Sequence, residues 1–196
     1  MVDRLSLLAI RMPASLHPNT LADLDALGDD ARAELIDGVI YERPVTTFDH
    51  GRIAFRIAMK IAPAYEDGVG GPGGWWIMPE NDFEAAGREV FRPDALGWTK
   101  ARMPEPPRDG RANVVPDWVC EVISGTNRAH DEVVKRAAYA RIGVRWWWLV
   151  DPTVKALTAH VLGDCAWHVL ERLEGAATAR VAPFEAVGLE MSEWWR

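Results

Sequence analysis

Apolar positions spaced three to four residues apart occur in only a few stretches of the chain, and those stretches predict its helices. Thr20 can cap a helix whose apolar positions are Leu21, Leu24 and Leu27, and Gly28 ends it. The stretch GRIAFRIAMKIAPAY carries a stronger signal. Ile53, Ile57, Ile61 and Tyr65 fall four apart with Ala54, Ala58 and Ala62 beside them, an amphipathic helix. In AELIDGVIYER two short β-prone runs flank Asp37-Gly38, a two-residue hairpin signal. The glycine run 68–74 is a loop, with strands predicted at 75–79 and 89–98. A second loop, 100–113, carries Pro104, Pro106 and Pro107. VVPDWVCEVIS then reads as a buried strand, 128–142 as a helix stopped by Gly143, and VRWWWLV as a central strand. Asp151-Pro152 turns the chain into a hairpin of 156–161 and 166–170. This order predicts one mixed α/β domain with parallel pairing across the 128–142 helix.

Composition narrows the function. The chain has 196 residues, 48% hydrophobic, which suits a single domain with a packed core. No apolar stretch approaches the roughly 20 residues needed to cross a bilayer. The run 5–10 is too short for a signal-peptide core. A cytoplasmic protein with no membrane partner is expected, and Cys120 and Cys165 are expected to be buried free thiols. The net charge of −7 argues against coating nucleic acid by bulk charge, yet leaves room for an acidic metal-dependent site. The basic residues are 18 Arg and four Lys (Lys60, Lys100, Lys135 and Lys155), so any chemistry needing a lysine has few candidates. Ten tryptophans, several adjacent, point to core or subunit interface, and a homodimer with aromatic surface at its interface is expected.

Two carboxylates lie in strand patterns, where charge is costly. Asp94 sits in EVFRPDALGW, sharing a face with Arg92 and Leu96. Glu121 sits in WVCEVI, sharing a face with Val119 and Ile123. If the two strands are neighbours, the carboxylates can converge on one hard cation, Mg²⁺ or Mn²⁺. The competing reading is a buried ion pair of either with an arginine. Glu34, in ELIDG, is a third carboxylate of that site or an exposed strand-end residue. Lys135 either pairs with Asp131 on a helix surface or points back into the carboxylates to meet a phosphate oxygen. Asn127 and Arg128 open that helix, whose N-terminus favours anions. His50 is a cap or a chemical group. Arg52, Arg56 and Lys60 form a stripe that is a solvated face or a phosphate-contacting ridge.

ELIDG at 34–38, His50 before a helix, RPD at 92–94 and the long block PDWVCEVISGTNRAHDEVVKRAAYARIGVRWWWLVDP at 116–152 together resemble a large bacterial family. It is the restriction-endonuclease-like Uma-two family, within the PD-(D/E)XK nuclease superfamily. The likeness spans roughly 20–162. It implies the restriction-endonuclease-like fold, a central mixed β-sheet flanked by helices, here with an extra β-hairpin near the C-terminus. It also implies a metal-dependent endonuclease acting on nucleic acid, with DNA as the expected partner.

By position, Pro93-Asp94 matches the PD pair, Glu121 the (D/E), and Glu34 the upstream glutamate. Asp94 and Glu121, with the Val122 carbonyl, would hold Mg²⁺ or Mn²⁺. The motif's lysine should fall at 123, where this chain has Ile123, and the family resembled carries it on the following helix, as Lys135. His50, Arg52, Arg56, Lys60, Asn127 and Arg128 are the candidate nucleic-acid contacts, and loop 100–113 is the candidate for specificity. The rival is a catalytically inactive nuclease-fold binding or assembly module.

Overall fold

The computed structural model describes residues 17–28, 31–125 and 128–196. The apolar run 5–10 and Asn127 lie outside them. A short helix α1 (Leu21–Asp25), capped by Thr20, leads to the hairpin β1 (Ala33–Ile36) and β2 (Val39–Glu42). Ile36 pairs with Val39 across the expected two-residue turn, where Asp37 and Gly38 both adopt positive φ (50° and 71°). Gly38 is required twice over: a Cβ there would lie 2.4 Å from Pro18 Cβ.

The helix α2 (Phe48–Tyr65) begins three residues before the periodic stretch, because Thr47 accepts the His50 N–H and caps it there. After it come β3 (Trp75–Pro79), β4 (Phe83–Ala85), β5 (Glu89–Phe91), β6 (Ala95–Thr99) and β7 (Trp118–Val122). A π-helical segment, His130–Lys135, runs into α3 (Arg136–Ile142), which ends at the left-handed Gly143. Then follow β8 (Trp146–Asp151), β9 (Ala156–Gly163) and β10 (Ala166–Glu174), and finally the short β11 (Thr178–Ala179) and β12 (Leu189–Glu190).

Six strands form the central mixed sheet in the order β10-β9-β8-β7-β6-β3. Only β7 and β8 are parallel, joined by the crossover through the π-helical segment and α3. The C-terminal hairpin is longer than expected and forms one edge of this sheet. A smaller sheet, β2-β1-β5-β4, stands against one face. The other face is covered by α2 and the C-terminal segment, where Ile53, Ile57 and Ile61 pack with Trp118, Cys120, Trp148, Phe184 and Trp194. Strand alternation sorts the tryptophan run accordingly. Trp146 and Trp148 face α2, while Trp147 packs with Val119, Leu96, Ala138 and Tyr139 on the opposite side.

Three expectations need correcting. The strand expected over 89–98 is two strands in two different sheets. The chain bends at Arg92-Pro93-Asp94, where proline cannot donate to a ladder, so Arg92, Asp94 and Leu96 do not share one strand face. Arg92 turns away to pair with Asp82. The tryptophans do not form an aromatic surface. Six are buried and the other four half-buried, consumed by the packing on both faces of the sheet, so the argument from them to a homodimer lapses. Cys120 is buried as expected, but Cys165 is exposed at the β9–β10 turn, where it adopts a positive φ.

Candidate active site

The bend at Pro93 places Asp94 at the entrance to β6, beside the end of β7. Ala95 pairs with Cys120, so β6 and β7 are neighbours, and the Val122 N–H donates to Asp94 Oδ2 at 2.7 Å. Arg43, just past β2, donates from Nη2 to Asp94 Oδ1 at 3.1 Å. His50, in the first turn of α2, is buried with Nε2 2.9 Å from the same oxygen, off the line of a hydrogen bond. Burial alone would raise the Asp94 carboxyl. His50, Arg43 and Lys135 outweigh it and hold it below the ordinary carboxylate range.

Glu121 projects from β7 on the Val119 face, toward the helix. Lys135 Nζ donates to its Oε1 at 3.0 Å, and the Tyr139 hydroxyl donates to the same oxygen at 2.5 Å. The ammonium also lies 3.0 Å from Glu34 Oε1 and 3.9 Å from Asp131 Oδ1. The surface pair Asp131–Lys135 is thus ruled out, since both side chains are buried. The wide π-helical turn is what allows this. His130, Asp131 and Lys135 all turn inward from one segment, a geometry often found at functional sites. Burial opposes the Lys135 charge, but Glu121, Glu34 and Asp131 around it raise its pKa above the ordinary lysine value, so it stays an ammonium.

Glu34 is fully buried in β1 and is no strand-end residue. It accepts from the Arg92 N–H at 2.7 Å and lies 3.3 Å from His130 Nε2. Burial pushes its carboxyl up, but Lys135, His130 and Arg43 bring it down to about 2. Glu121 behaves oppositely. Burial, with the neighbouring charges of Asp94 and Glu34, exceeds the pull of Lys135 and lifts it to about 7. Asp131 is raised well above the ordinary value, first by burial. The cluster therefore gathers four carboxylates against two permanent cations, Lys135 and Arg43.

Arg43, His50, Asp94, Glu121, Ser124, Asp131 and Lys135 line a cavity of about 20 Å³, rimmed by Pro44, Val45 and Thr46. That is room for roughly one water or one bare ion. A larger cavity of about 420 Å³, between α1 and β4, holds Arg92, Arg111 and several acids but none of Asp94, Glu121 and Lys135.

The remaining sequence candidates are placed elsewhere. Arg52 donates to the carbonyls of Trp194 (2.9 Å) and Glu193 (3.4 Å), and Arg56 lies 3.9 Å from the Glu193 carboxylate. Both thus face the C-terminal segment, while Lys60 is exposed. Arg128 pairs with Asp151 at 2.5 Å and with Glu132 at 3.0 Å, joining the helix entry to the end of β8. Loop 100–113 is anchored by buried Met103 and Ala112, with its tip, 104–110, exposed.

The sequence candidates do not include Arg43, His130 or Tyr139, nor Asp131 as a member of the carboxylate site. Tyr139 had a legible signal, four residues after Lys135 on the same helix. Arg43 had none, since its role depends on where β2 ends relative to the Pro93 bend.

The sequence profile of the family described as "Uma2: Putative restriction endonuclease" matches residues 18–192. The chain belongs to this family. The Uma2 chain is also similar to a solved structure, described as a putative nuclease belonging to DUF820 from Anabaena variabilis. The two are 18% identical, the match covers 91% of this chain and 98% of that one, and the TM-score is 0.71. At that identity the likeness establishes the fold, the same α/β arrangement with a central mixed sheet. No curated protein matches this Uma2 chain.

Proposed function

We propose that this chain is a metal-dependent endonuclease that hydrolyses phosphodiester bonds in nucleic acid, DNA being the expected substrate. One observation carries the reading: four buried carboxylates, Glu34, Glu121 and Asp131 around Lys135 and Asp94 against Arg43, gather beside a cavity with only two fixed cations among them, so that burial and mutual repulsion push Glu121 and Asp131 toward the protonated form. Buried carboxylates in excess of their partners are strongly unfavourable without a further cation.

The donors are all oxygen, which fits Mg²⁺ or Mn²⁺. Among the described residues no three His, Cys, Asp or Glu side chains converge as a ready-made cage. Magnesium commonly uses one or two carboxylates, with water and substrate phosphate completing its shell. Asp94 and Glu121 would hold the ion, with the Val122 carbonyl as a further ligand. When bound, the ion would offset phosphate charge and lower the pKa of a water. Hydrolysis adds the water's OH to phosphorus, breaks the bond from phosphorus to the 3′ oxygen, and leaves the other proton on that oxygen. The products are a 5′-phosphate and a 3′-hydroxyl. Lys135 keeps Glu34 and Glu121 in position and supplies positive charge near the developing phosphorane. Tyr139, donating to the same Glu121 oxygen as Lys135, fixes that rotamer.

The inactive-module reading draws on one observation, that both Asp94 oxygens already meet protein donors. A labelled pool of DNA and RNA, incubated with Mn²⁺, Mg²⁺ or EDTA, separates the two. Cutting that requires the divalent ion and disappears in Asp94→Asn and Glu121→Gln is expected. Metal binding without cutting by the wild type would favour the module.

A further inference from the structure

Two cations line the cavity, and they are used differently. Lys135 is surrounded by carboxylates, two at 3.0 Å and one at 3.9 Å, so its charge is committed within the protein. Arg43 is engaged through one nitrogen only: its Nη2 donates to Asp94 Oδ1, while its Nη1 is buried with no hydrogen-bond partner among the described residues. The side chain is only 7% exposed, and the guanidinium stays protonated. A buried charged donor without an acceptor is unfavourable and calls for a ligand that uses it. The next residues in the chain, Pro44, Val45 and Thr46, line the same cavity, and Val45 is open to solvent. Arg43 thus lies where the chain passes from the buried carboxylates to an exposed segment.

We propose that Arg43 binds the scissile phosphodiester, with Nη1 donating to a non-bridging oxygen while Nη2 keeps its hold on Asp94. This rests on the nuclease reading and adds a substrate-binding residue to it. A phosphodiester offers two non-bridging oxygens and one negative charge, the pattern a guanidinium fork matches. The site is otherwise acidic, so a phosphate needs a protein donor that is still open, in addition to any metal. The proposal also gives Lys135 and Arg43 separate tasks. Lys135 organises the carboxylates and adds its charge to the field at the phosphorus, and Arg43 contacts a phosphate oxygen.

The test uses the full chain with a short fluorescein-labelled DNA duplex. Binding is measured in Ca²⁺, Mn²⁺ affinity by calorimetry, and cleavage in Mn²⁺. Arg43→Met is expected to weaken DNA binding about tenfold and to lower the salt slope of binding by about 0.9, one phosphate contact. Its Mn²⁺ affinity should stay within about threefold of wild type or improve. Arg43→Lys keeps the charge without the fork. It should recover the salt slope yet cleave at least about tenfold more slowly than wild type. If Arg43→Met does not fold, Arg43→Lys carries the test through that cleavage loss at retained Mn²⁺ affinity. Unchanged binding and salt slope in Arg43→Met, with the wild type cutting, would overturn the role of Arg43 alone. So would a Mn²⁺ affinity more than about tenfold weaker in both variants, which would make Arg43 a support for Asp94. A wild type that neither binds nor cuts DNA or RNA would overturn the nuclease reading itself.

Discussion

Replacing Lys135 by methionine removes the cation at the centre of the carboxylate cluster while keeping most of the side-chain volume. The two contacts at 3.0 Å each correspond to a gross attraction of about 5 kcal/mol at an effective dielectric near 20. Most of that is offset by the cost of burying the ammonium, and the net effect of unpairing a buried charge is about 3–5 kcal/mol. For a chain of this size, that lowers the melting temperature by roughly 10 °C. The loss depends on pH. Glu121 already sits at about 7, raised by burial against the pull of Lys135. Without the lysine its pKa rises further, and the same holds for Asp131. A group whose folded pKa is raised loses stability as pH rises from its unfolded to its folded value, so Lys135→Met should be far less damaging at pH 6 than at pH 8. Wild-type Glu121 already gives up its proton across that range, so the extra proton the variant holds there is worth up to about 1.4 kcal/mol. Urea unfolding in EDTA at both pH values measures this. A variant within about 1 kcal/mol of wild type at pH 8 would refute the argument that Lys135 is the charge partner of the cluster.

Other consequences are as direct. Mn²⁺ should bind the wild type measurably by calorimetry, and Asp94→Ala or Glu121→Ala should abolish it; unchanged affinity in both would remove these residues from the metal site. Lys135→Ala should retain Mn²⁺ binding and lose about a hundredfold in cleavage, and adding Ile123→Lys should restore part of that loss; full activity in Lys135→Ala would refute its role. Arg52→Ala should loosen the C-terminal segment, read by faster amide exchange around Trp194, and leave the salt slope of DNA binding unchanged; a smaller slope would instead make Arg52 a phosphate contact. Glu89 accepts both Arg141 guanidinium nitrogens (2.8 and 2.9 Å) and the Asp37 N–H; these partners outweigh burial and hold its carboxyl below the ordinary value. That contribution is present above the unfolded pKa and lost as pH falls through the folded one, so Arg141→Ala should be less stable than wild type at pH 7 and converge with it toward pH 3 in urea unfolding.

Most of the secondary structure is local information. The four-residue spacing of Ile53, Ile57 and Ile61 specifies a helix wherever the segment lies, and Asp37-Gly38 specifies its turn because both residues tolerate positive φ. The alternation that puts Glu121 with Val119 and opposite Cys120 and Val122 is a property of any strand, and it holds. The parallel pairing of β7 and β8 follows from the helix between them. Asp94, Glu121 and Lys135 were therefore legible as candidates, with Lys135 singled out by the scarcity of lysine and by family likeness.

Three-dimensional packing decided how those candidates are used. A single proline divides what reads as one strand into members of two sheets, and that bend turns Asp94 toward the Val122 amide while Arg92 goes to Asp82. Nothing local distinguishes Arg43, which faces the cavity, from Arg52, which grips the C-terminal carbonyls. Only long-range placement assigns one to the carboxylates and the other to a structural tie. Ten tryptophans look like surplus in a chain of this length, yet both faces of the central sheet are covered and absorb them. Burial and charge balance are sums over residues far apart in the chain. The local pattern could therefore indicate the chemistry of the site, while the arrangement of its cations belongs to the fold.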